Sequence, residues 1–271
     1  MLTQLSGKFI LSGNLVCKTG LHIGGSTIGL EIGGVDNPVI KDPLTDEPMI
    51  PGSSLKGKLR SLTEWYFGLI AYHDKHKGFQ AYDCHELKDA QPSHEPELTR
   101  WLNVFRLACL FGPASDDVNI RRVAGPSRLT VRDAFLSENS RKNLEKILGA
   151  GIFTEVKTEN ALDRVTSEAN PRPVERVPAG SQFEVRFIMD CYDPGDEDLF
   201  RTLFIAMALL EQSSLGGGGS RGNGQVTFEN LHLVWRSNAD YKVGGEGKII
   251  ALPGSTVSEV LDKYNQIQWP L

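Results

Sequence analysis

The chain has 271 residues, 40% of them hydrophobic, and a formal net charge of −5, a size that fits one large domain with insertions or a domain plus a subdomain. No apolar run reaches the ~18 residues a membrane helix needs, and the first ten residues, with Gln4, Ser6, Gly7 and Lys8, lack the apolar core of a secretory signal, so a cytoplasmic protein outside the membrane is expected. The acidic balance runs against nucleic-acid binding as a bulk property, and any such role must rest on local clusters.

The elements follow in chain order. Residues 8–17 place Phe9, Leu11, Leu15 and Cys17 on one alternating face, the pattern of a strand. Residues 20–52 are rich in glycine and proline with only short apolar pieces such as Val39-Ile40. A loop of that length in a compact domain is usually functional or disordered. Pro51-Gly52-Ser53-Ser54 forms a turn and a helix start, after which Leu55, Leu59, Leu62, Tyr66 and Leu69 recur at helical spacing, predicting a helix over 54–70.

Residues 71–96, rich in His, Asp, Lys and Pro, form an insertion or lid. Leu98, Trp101, Leu102, Phe105 and Cys109 mark a second helix, stopped by Gly112-Pro113. A polar loop is expected over 113–126, a strand over 128–136 and a short helix over 140–148. The stretch 152–182 is polar and poorly periodic, whereas 183–189 alternates cleanly as a strand. An apolar helix over 197–212 leads into Gly216-Gly217-Gly218-Gly219-Ser220-Arg221-Gly222-Asn223-Gly224 and a strand over 225–235. Beyond Ser237 the chain is polar, with a weak helical pattern at Val257, Val260, Leu261 and Tyr264. The order strand, helix, strands, helix, strand predicts an α+β fold with helices on one face of an antiparallel sheet.

Five places offer chemistry. At the helix start, Ser53 and Ser54 lie where free backbone N–H groups attract anions, and Lys56 and Arg60 share a face four residues apart. The same pattern is also that of an ordinary solvated helix face. The glycine loop, six of nine residues Gly around Arg221, allows a phosphate or another backbone to come close. A Gly/Ser run is often a flexible linker, but apolar elements on both sides fix the ends of this one.

Arg121, Arg122, Arg128 and Arg132, with Arg172 and Arg176, are a basic set able to offset phosphate charge, or scattered surface arginines. Asp36, in Gly33-Gly34-Val35-Asp36-Asn37-Pro38, is a carboxylate that could ligate Mg²⁺, although Asp in such loops more often caps a turn. His73, His76, Cys84 and His85, with His94 and Cys109 as further options, are candidate zinc ligands whose spacing matches no standard finger. The four cysteines form no CxxC pair, and a disulfide framework is not expected in a chain this long. P-loop, GxSxG, HExxH and dinucleotide fingerprints are all missing.

TGLHIGG (19–25), IGGVDNPVIKDP (32–43), IPGSSLKGKLR (50–60), SRLTVRDA (127–134), EVKTENALDRVTSEANPRPVERVPAGSQFE (155–184) and GGGGSRGNGQV (216–226) stand in one order along the chain. Together they resemble the Csm-type backbone subunit of type III CRISPR–Cas complexes, a branch of the RAMP superfamily, over roughly residues 8–235.

The resemblance implies a ferredoxin-like, RRM-like core spanning 1–236, a thumb-like hairpin inserted at 152–182, and a C-terminal extension at 237–271. It implies RNA binding by His22, Ser53, Lys56, Arg60, Arg128, Arg221 and Gly222, and cleavage at Asp36 with Mg²⁺ or Mn²⁺. The partners implied are a guide crRNA, a target RNA, further copies of the chain and other subunits of the complex. Many relatives carry a CxxC before an LFG motif. Here Phe105-Arg106-Leu107-Ala108-Cys109 precedes Leu110-Phe111-Gly112, so the family-type zinc site loses a ligand pair. Two other readings stay open: a guide-binding subunit that never cuts, and a guide-processing ribonuclease using His22 as base.

Overall fold

The structure, a computed structural model, describes residues 4–25, 37–70, 72–73 and 78–270. Asp36 and His76 fall outside them, as does the side chain of His73.

The chain opens with β1 (Gly7–Cys17), followed by the short β2 (Met49–Ile50) and α1 (Gly52–Tyr66). Two-residue strands β3 (Tyr72–His73) and β4 (Gly78–Phe79) pair in the insertion, ahead of α2 (Glu97–Phe111). Then come α3 (Val118–Ala124), β5 (Leu129–Val131), β6 (Ala134–Leu136), α4 (Glu138–Leu148), β7 (Glu155–Leu162), β8 (Ala169–Arg176) and β9 (Gln182–Cys191). The chain ends with α5 (Asp198–Glu211), β10 (Val226–Ser237), α6 (Asn238–Val243), β11 (Lys248–Ile250) and α7 (Val257–Asp262).

One antiparallel sheet runs β11-β10-β1-β9-β6-β2, with β5 also on β9. Its centre is β1, paired with β10 from Gly7↔Ser237 to Cys17↔Val226 and with β9 from Gly7↔Cys191 to Val16↔Gln182. Alternation decides which face is covered. Phe9, Leu11 and Leu15 of β1, Phe183, Val185, Phe187 and Met189 of β9, and Phe228 and Leu233 of β10 are buried under the helices. The alternate residues Ser12, Asn14, Arg132, Glu184, Arg186 and His232 line an open groove on the other face.

The helices bury their apolar stripes against that covered face. Leu55 and Leu59 of α1 and Phe200, Leu203, Phe204 and Met207 of α5 are fully enclosed. The Phe200 ring meets Phe9 edge-on at 5.1 Å and Trp269 at 5.5 Å. Trp269 in turn lies 5.7 Å from Tyr264. Parts of residues 248–269 are therefore built into the core. β11 pairs with β10, and Val257, Val260, Tyr264 and Ile267 are buried.

Two sequence expectations change, and one stretch gains its detail. The expected strand over 128–136 is two short strands, because the ladder breaks after the Arg132 N–H bond to the Arg186 carbonyl at 3.0 Å, and the Asp133 carboxylate accepts the Gly52 N–H at 2.7 Å. The expected loop over 113–126 contains α3, capped by the Asp117 side chain on the Asn119 N–H and anchored by buried Ile120 and Ala124. The aperiodic stretch 152–182 holds the hairpin β7–β8, in register from Glu155↔Arg176 to Leu162↔Ala169. Its pattern is faint because both faces are largely exposed.

Candidate nucleic-acid interface

The glycine loop is tied to the β7–β8 hairpin through His22, Arg176 and Glu159, while the start of α1 is anchored on Asp133, Ser127 and Leu129. The Gly52 position admits no side chain: a Cβ there would lie 2.2 Å from the Val131 carbonyl oxygen. Ser53 and Ser54 are exposed in the first turn, which carries no acidic residue of its own, although the Asp133 carboxylate already takes the Gly52 N–H at the positive helix end. Lys56 turns its ammonium toward the strand region, donating to the Leu129 carbonyl at 2.7 Å and to Ser127 Oγ at 3.4 Å. Burial, reinforced by the charge of Arg60, holds the Lys56 pKa below the usual lysine range.

Arg60 faces inward. It donates Nε to Glu64 at 2.8 Å, Nη1 to the Gly112 carbonyl at 2.6 Å and Nη2 to the Tyr82 carbonyl at 2.9 Å. Arg128 is 5% exposed. Its Nη1 donates to the carbonyls of Ala124 and Pro126 at 2.6 and 2.7 Å, and its Nε lies 3.4 Å from Asp196. The ring of Tyr192 lies 5.3 Å from its guanidinium. Both arginines thus brace the walls of the interface and keep their donors within the protein.

The glycine loop is a pinned surface, unlike a free linker. The Gly217 N–H donates to the His22 carbonyl at 2.8 Å, Leu215 N–H to Gly224, and Gly224 N–H to Gly20, both at 2.9 Å. Gly216 has φ +76°, and a Cβ there would meet the His22 carbonyl oxygen at 2.1 Å. This close approach needs glycine on both steric counts. Arg221 projects from the loop and is well exposed, with its Nε on Glu159 of β7 at 2.9 Å. Beside it, Gly222 faces open space.

His22 sits between the loop and the hairpin. Its Nδ1 donates to the Glu175 carbonyl at 2.7 Å, a bond that fixes the proton on Nδ1 and leaves Nε2 for a ligand. The Glu175 carboxylate, 8% exposed, reaches the other way. It accepts the Val39 N–H at 2.8 Å and the Thr154 hydroxyl at 2.6 Å, with the Lys41 ammonium at 3.5 Å. Gly25 N–H donates to the Pro38 carbonyl at 3.0 Å, and Ile40 N–H to Ile23 at 2.9 Å. The segments on either side of residues 26–36 are therefore bound to each other and to the hairpin. Asp36, although outside the described residues, is two positions along the chain from Pro38.

The structure brings His22, Arg221 and Gly222 together where the glycine loop meets the hairpin, sets Ser53 and Lys56 on α1, whose bonds run to Asp133, Ser127 and Leu129, and turns Arg60 and Arg128 inward. Sequence reasoning missed Glu175, Asn223 and Asp133. Asn223 is 4% exposed and accepts from Arg176 Nη1 at 3.2 Å, while Arg176 Nε donates to Glu155 at 2.7 Å. A buried Asn inside a glycine run was the one sequence signal available, since a free linker would not bury an amide.

The candidate zinc ligands among the described side chains do not converge. Cys84 is fully buried against the Tyr82 carbonyl, and burial pushes its thiol up to about 12. The adjacent His85 is exposed and bound to Asp83 at 3.0 Å. Cys109 is buried on the Ala124 carbonyl, and His94 is exposed. Among the described residues, no group of three or more His, Cys, Asp or Glu is placed to hold a metal. Among them, too, no helix is long and apolar enough to cross a membrane.

Comparison with known proteins bears on the same surface. The model of the RAMP superfamily matches residues 14–227. A Methanothermobacter thermautotrophicus protein named CRISPR system Cms endoribonuclease Csm3 is 40% identical over 250 residues, covering 87% of this chain and 89% of its own. A Streptococcus thermophilus protein of the same name is 40% identical over 227 residues, 83% of this chain and 88% of its own. Among solved structures, a chain of the Csm3–Csm4 subcomplex of the type III-A CRISPR–Cas interference complex superposes with TM-score 0.56 at 25% identity, covering 98% of this chain and 99% of that one. Methanopyrus kandleri Csm3 superposes with TM-score 0.60 at 24% identity, over 88% of this chain and 80% of that one.

Proposed function

This chain belongs to the RAMP superfamily, and from that premise we propose that it is a guide-RNA-binding backbone subunit of a type III CRISPR interference complex that cleaves complementary target RNA at regular intervals. The observation that carries the reading is the likeness to the Csm3 endoribonucleases over most of the chain, on a fold whose glycine loop is bonded to the hairpin, and we infer that this junction and the α1 start together form one guide-binding surface. The guide lies along that surface. Ser53 and the α1 terminus take a phosphate through backbone N–H groups, Lys56 and Arg221 neutralise charge, and Gly222 lets the strand approach the backbone. His22 offers Nε2 to a ribose or phosphate oxygen. Arg60 and Arg128 contribute by holding the α1 and β5 walls at fixed separation.

Cleavage belongs to Asp36. In RNA the 2′-OH next to the scissile phosphate is itself a nucleophile, so the protein has chiefly to hold the strand in line and assist charge or proton transfer. A bound Mg²⁺ or Mn²⁺ would stabilise charge on the phosphate oxygens. Glu175, a described carboxylate adjoining this segment, is occupied by Val39, Thr154 and Lys41. The ion would therefore depend on Asp36 and on RNA oxygens, a donor set suited to a hard cation that keeps several waters. The β7–β8 hairpin fits the role of a thumb that displaces a base pair and frees the backbone at each cut.

The test is a denaturing gel of end-labelled target RNA incubated with the assembled guide complex and Mg²⁺. Wild type yields evenly spaced products. Asp36→Ala retains guide and target but yields none, and EDTA erases the wild-type ladder. Identical ladders from both proteins would move catalysis away from Asp36. Bound but uncut target in wild type would leave a purely structural subunit, and a ladder that survives EDTA would remove the metal.

A further inference from the structure

The hairpin and the glycine loop are tied by one carboxylate. Glu159, on β7, takes the Nε–H of Arg221 on Oε2 at 2.9 Å and lies 3.5 Å from Asn223 Nδ2 through Oε1. Its side chain is 21% exposed, whereas that of Arg221 is 64% exposed. The acid is sheltered and the base stands at the surface. Below them Asn223 accepts from Arg176, which is paired in turn with Glu155. The chain Glu155–Arg176–Asn223–Glu159–Arg221 therefore runs from the hairpin base into the loop, and Arg221 is its terminal, solvent-facing member.

We propose that the Glu159–Arg221 pair is an autoinhibitory latch: in the RNA-free chain Glu159 occupies the guanidinium that a guide phosphate must take, so RNA binding exchanges carboxylate for phosphate and frees β7 from the loop. The inference rests on the reading of Arg221 as an RNA contact. Glu159 takes only the Nε–H, and the competition is electrostatic: a phosphodiester brought to the rest of the guanidinium meets a carboxylate beside it, and the two anions repel. Asn223 is buried and already bound to Arg176, so it remains in place when Arg221 swings out. The exchange therefore costs one partly exposed ion pair and leaves the packing of the loop intact.

The experiment is fluorescence anisotropy of a labelled single-stranded RNA titrated with the full-length chain over a series of salt concentrations. The variants are Arg221→Ala, Glu159→Gln, the double variant and Glu155→Gln. Arg221→Ala weakens binding and makes the slope of log K against log salt shallower by about 0.7, the value of one phosphate contact to a single strand. Glu159→Gln, which keeps an acceptor for Asn223, tightens binding by about two- to fivefold at low salt, the gain that release of an exposed ion pair can give. That gain shrinks as salt screens the wild-type pair, and it vanishes in the Arg221→Ala background. Glu155→Gln, which removes an equal charge from Arg176, gives no such gain.

If Arg221→Ala alters neither affinity nor slope, the RNA-contact reading of Arg221 fails and the latch with it. If Arg221→Ala weakens binding but Glu159→Gln leaves it unchanged or weaker, Glu159 merely positions Arg221 and the latch alone is overturned. Equal tightening by Glu155→Gln would reduce the effect to net charge and overturn it as well.

Discussion

The covered face of the sheet and the β7–β8 hairpin are both antiparallel strand pairs, yet they are held by different forces. Under the helices, Phe9, Phe187, Phe200 and Phe228 are fully enclosed, and the strands owe their register to which side chains must leave water. In the hairpin, Val156, Leu162 and Val165 are 57%, 63% and 93% exposed. Its shape comes from the backbone ladder and from ion pairs at its base, Arg176–Glu155 and Arg221–Glu159. A two-stranded ribbon without a buried face is marginal by itself, so the anchoring at Glu175 and Thr154 is what aims it. The lesson is a division of labour. The hairpin keeps its side chains in water, and the sheet supplies the rigidity.

Three substitutions sharpen the contrast. Phe200→Ala removes a ring in contact with Phe9, Phe204 and Trp269. Its unfolding free energy, from urea titration, is expected to fall by about 3–5 kcal/mol. Glu175→Ala, at the junction of the two regions, strands the Val39 N–H and the Thr154 hydroxyl and leaves the Lys41 ammonium with Asp46 alone. A loss of about 1–3 kcal/mol is expected, together with faster hydrogen exchange at Val39. The smallest effect belongs to the hairpin. Leu162→Ser is expected to change stability by less than about 0.5 kcal/mol, with the denaturation midpoint as the readout. A Leu162→Ser cost as large as that of Phe200→Ala would show that the hairpin is part of the folding core, and the division would collapse.

Much of the fold was legible because burial imposes a period. Alternation marked β1 and β9, and the Leu55–Leu59–Leu62 spacing marked α1. The glycine run between an apolar helix and an apolar strand marked a loop with fixed ends. Short elements escaped: α3 has seven residues, too few for a stripe to stand out from the polar loop around it. The C-terminal residues read as a polar extension because their apolar members are sparse, yet Trp269 and Tyr264 reach the core and β11 covers the β10 edge.

The site divides the same way. The sequence by itself marked Ser53–Lys56 and Arg221–Gly222 as candidate anion sites, because helix starts and glycine runs act through their own backbone. Three arginines drawn from the same kind of reasoning met three different fates. Arg60 reaches the Gly112 and Tyr82 carbonyls, Arg128 reaches Asp196, and Arg221 stays at the surface on Glu159. Only the tertiary structure decided which of them remains available. A guanidinium is steered by whichever acceptor comes within about 3 Å, and here those acceptors come from distant segments. His22 likewise finds its partner 153 residues away, at Glu175. Local periodicity reports whether a side chain is buried, but the neighbour that fixes its hydrogen bonds is chosen only when the sheet closes.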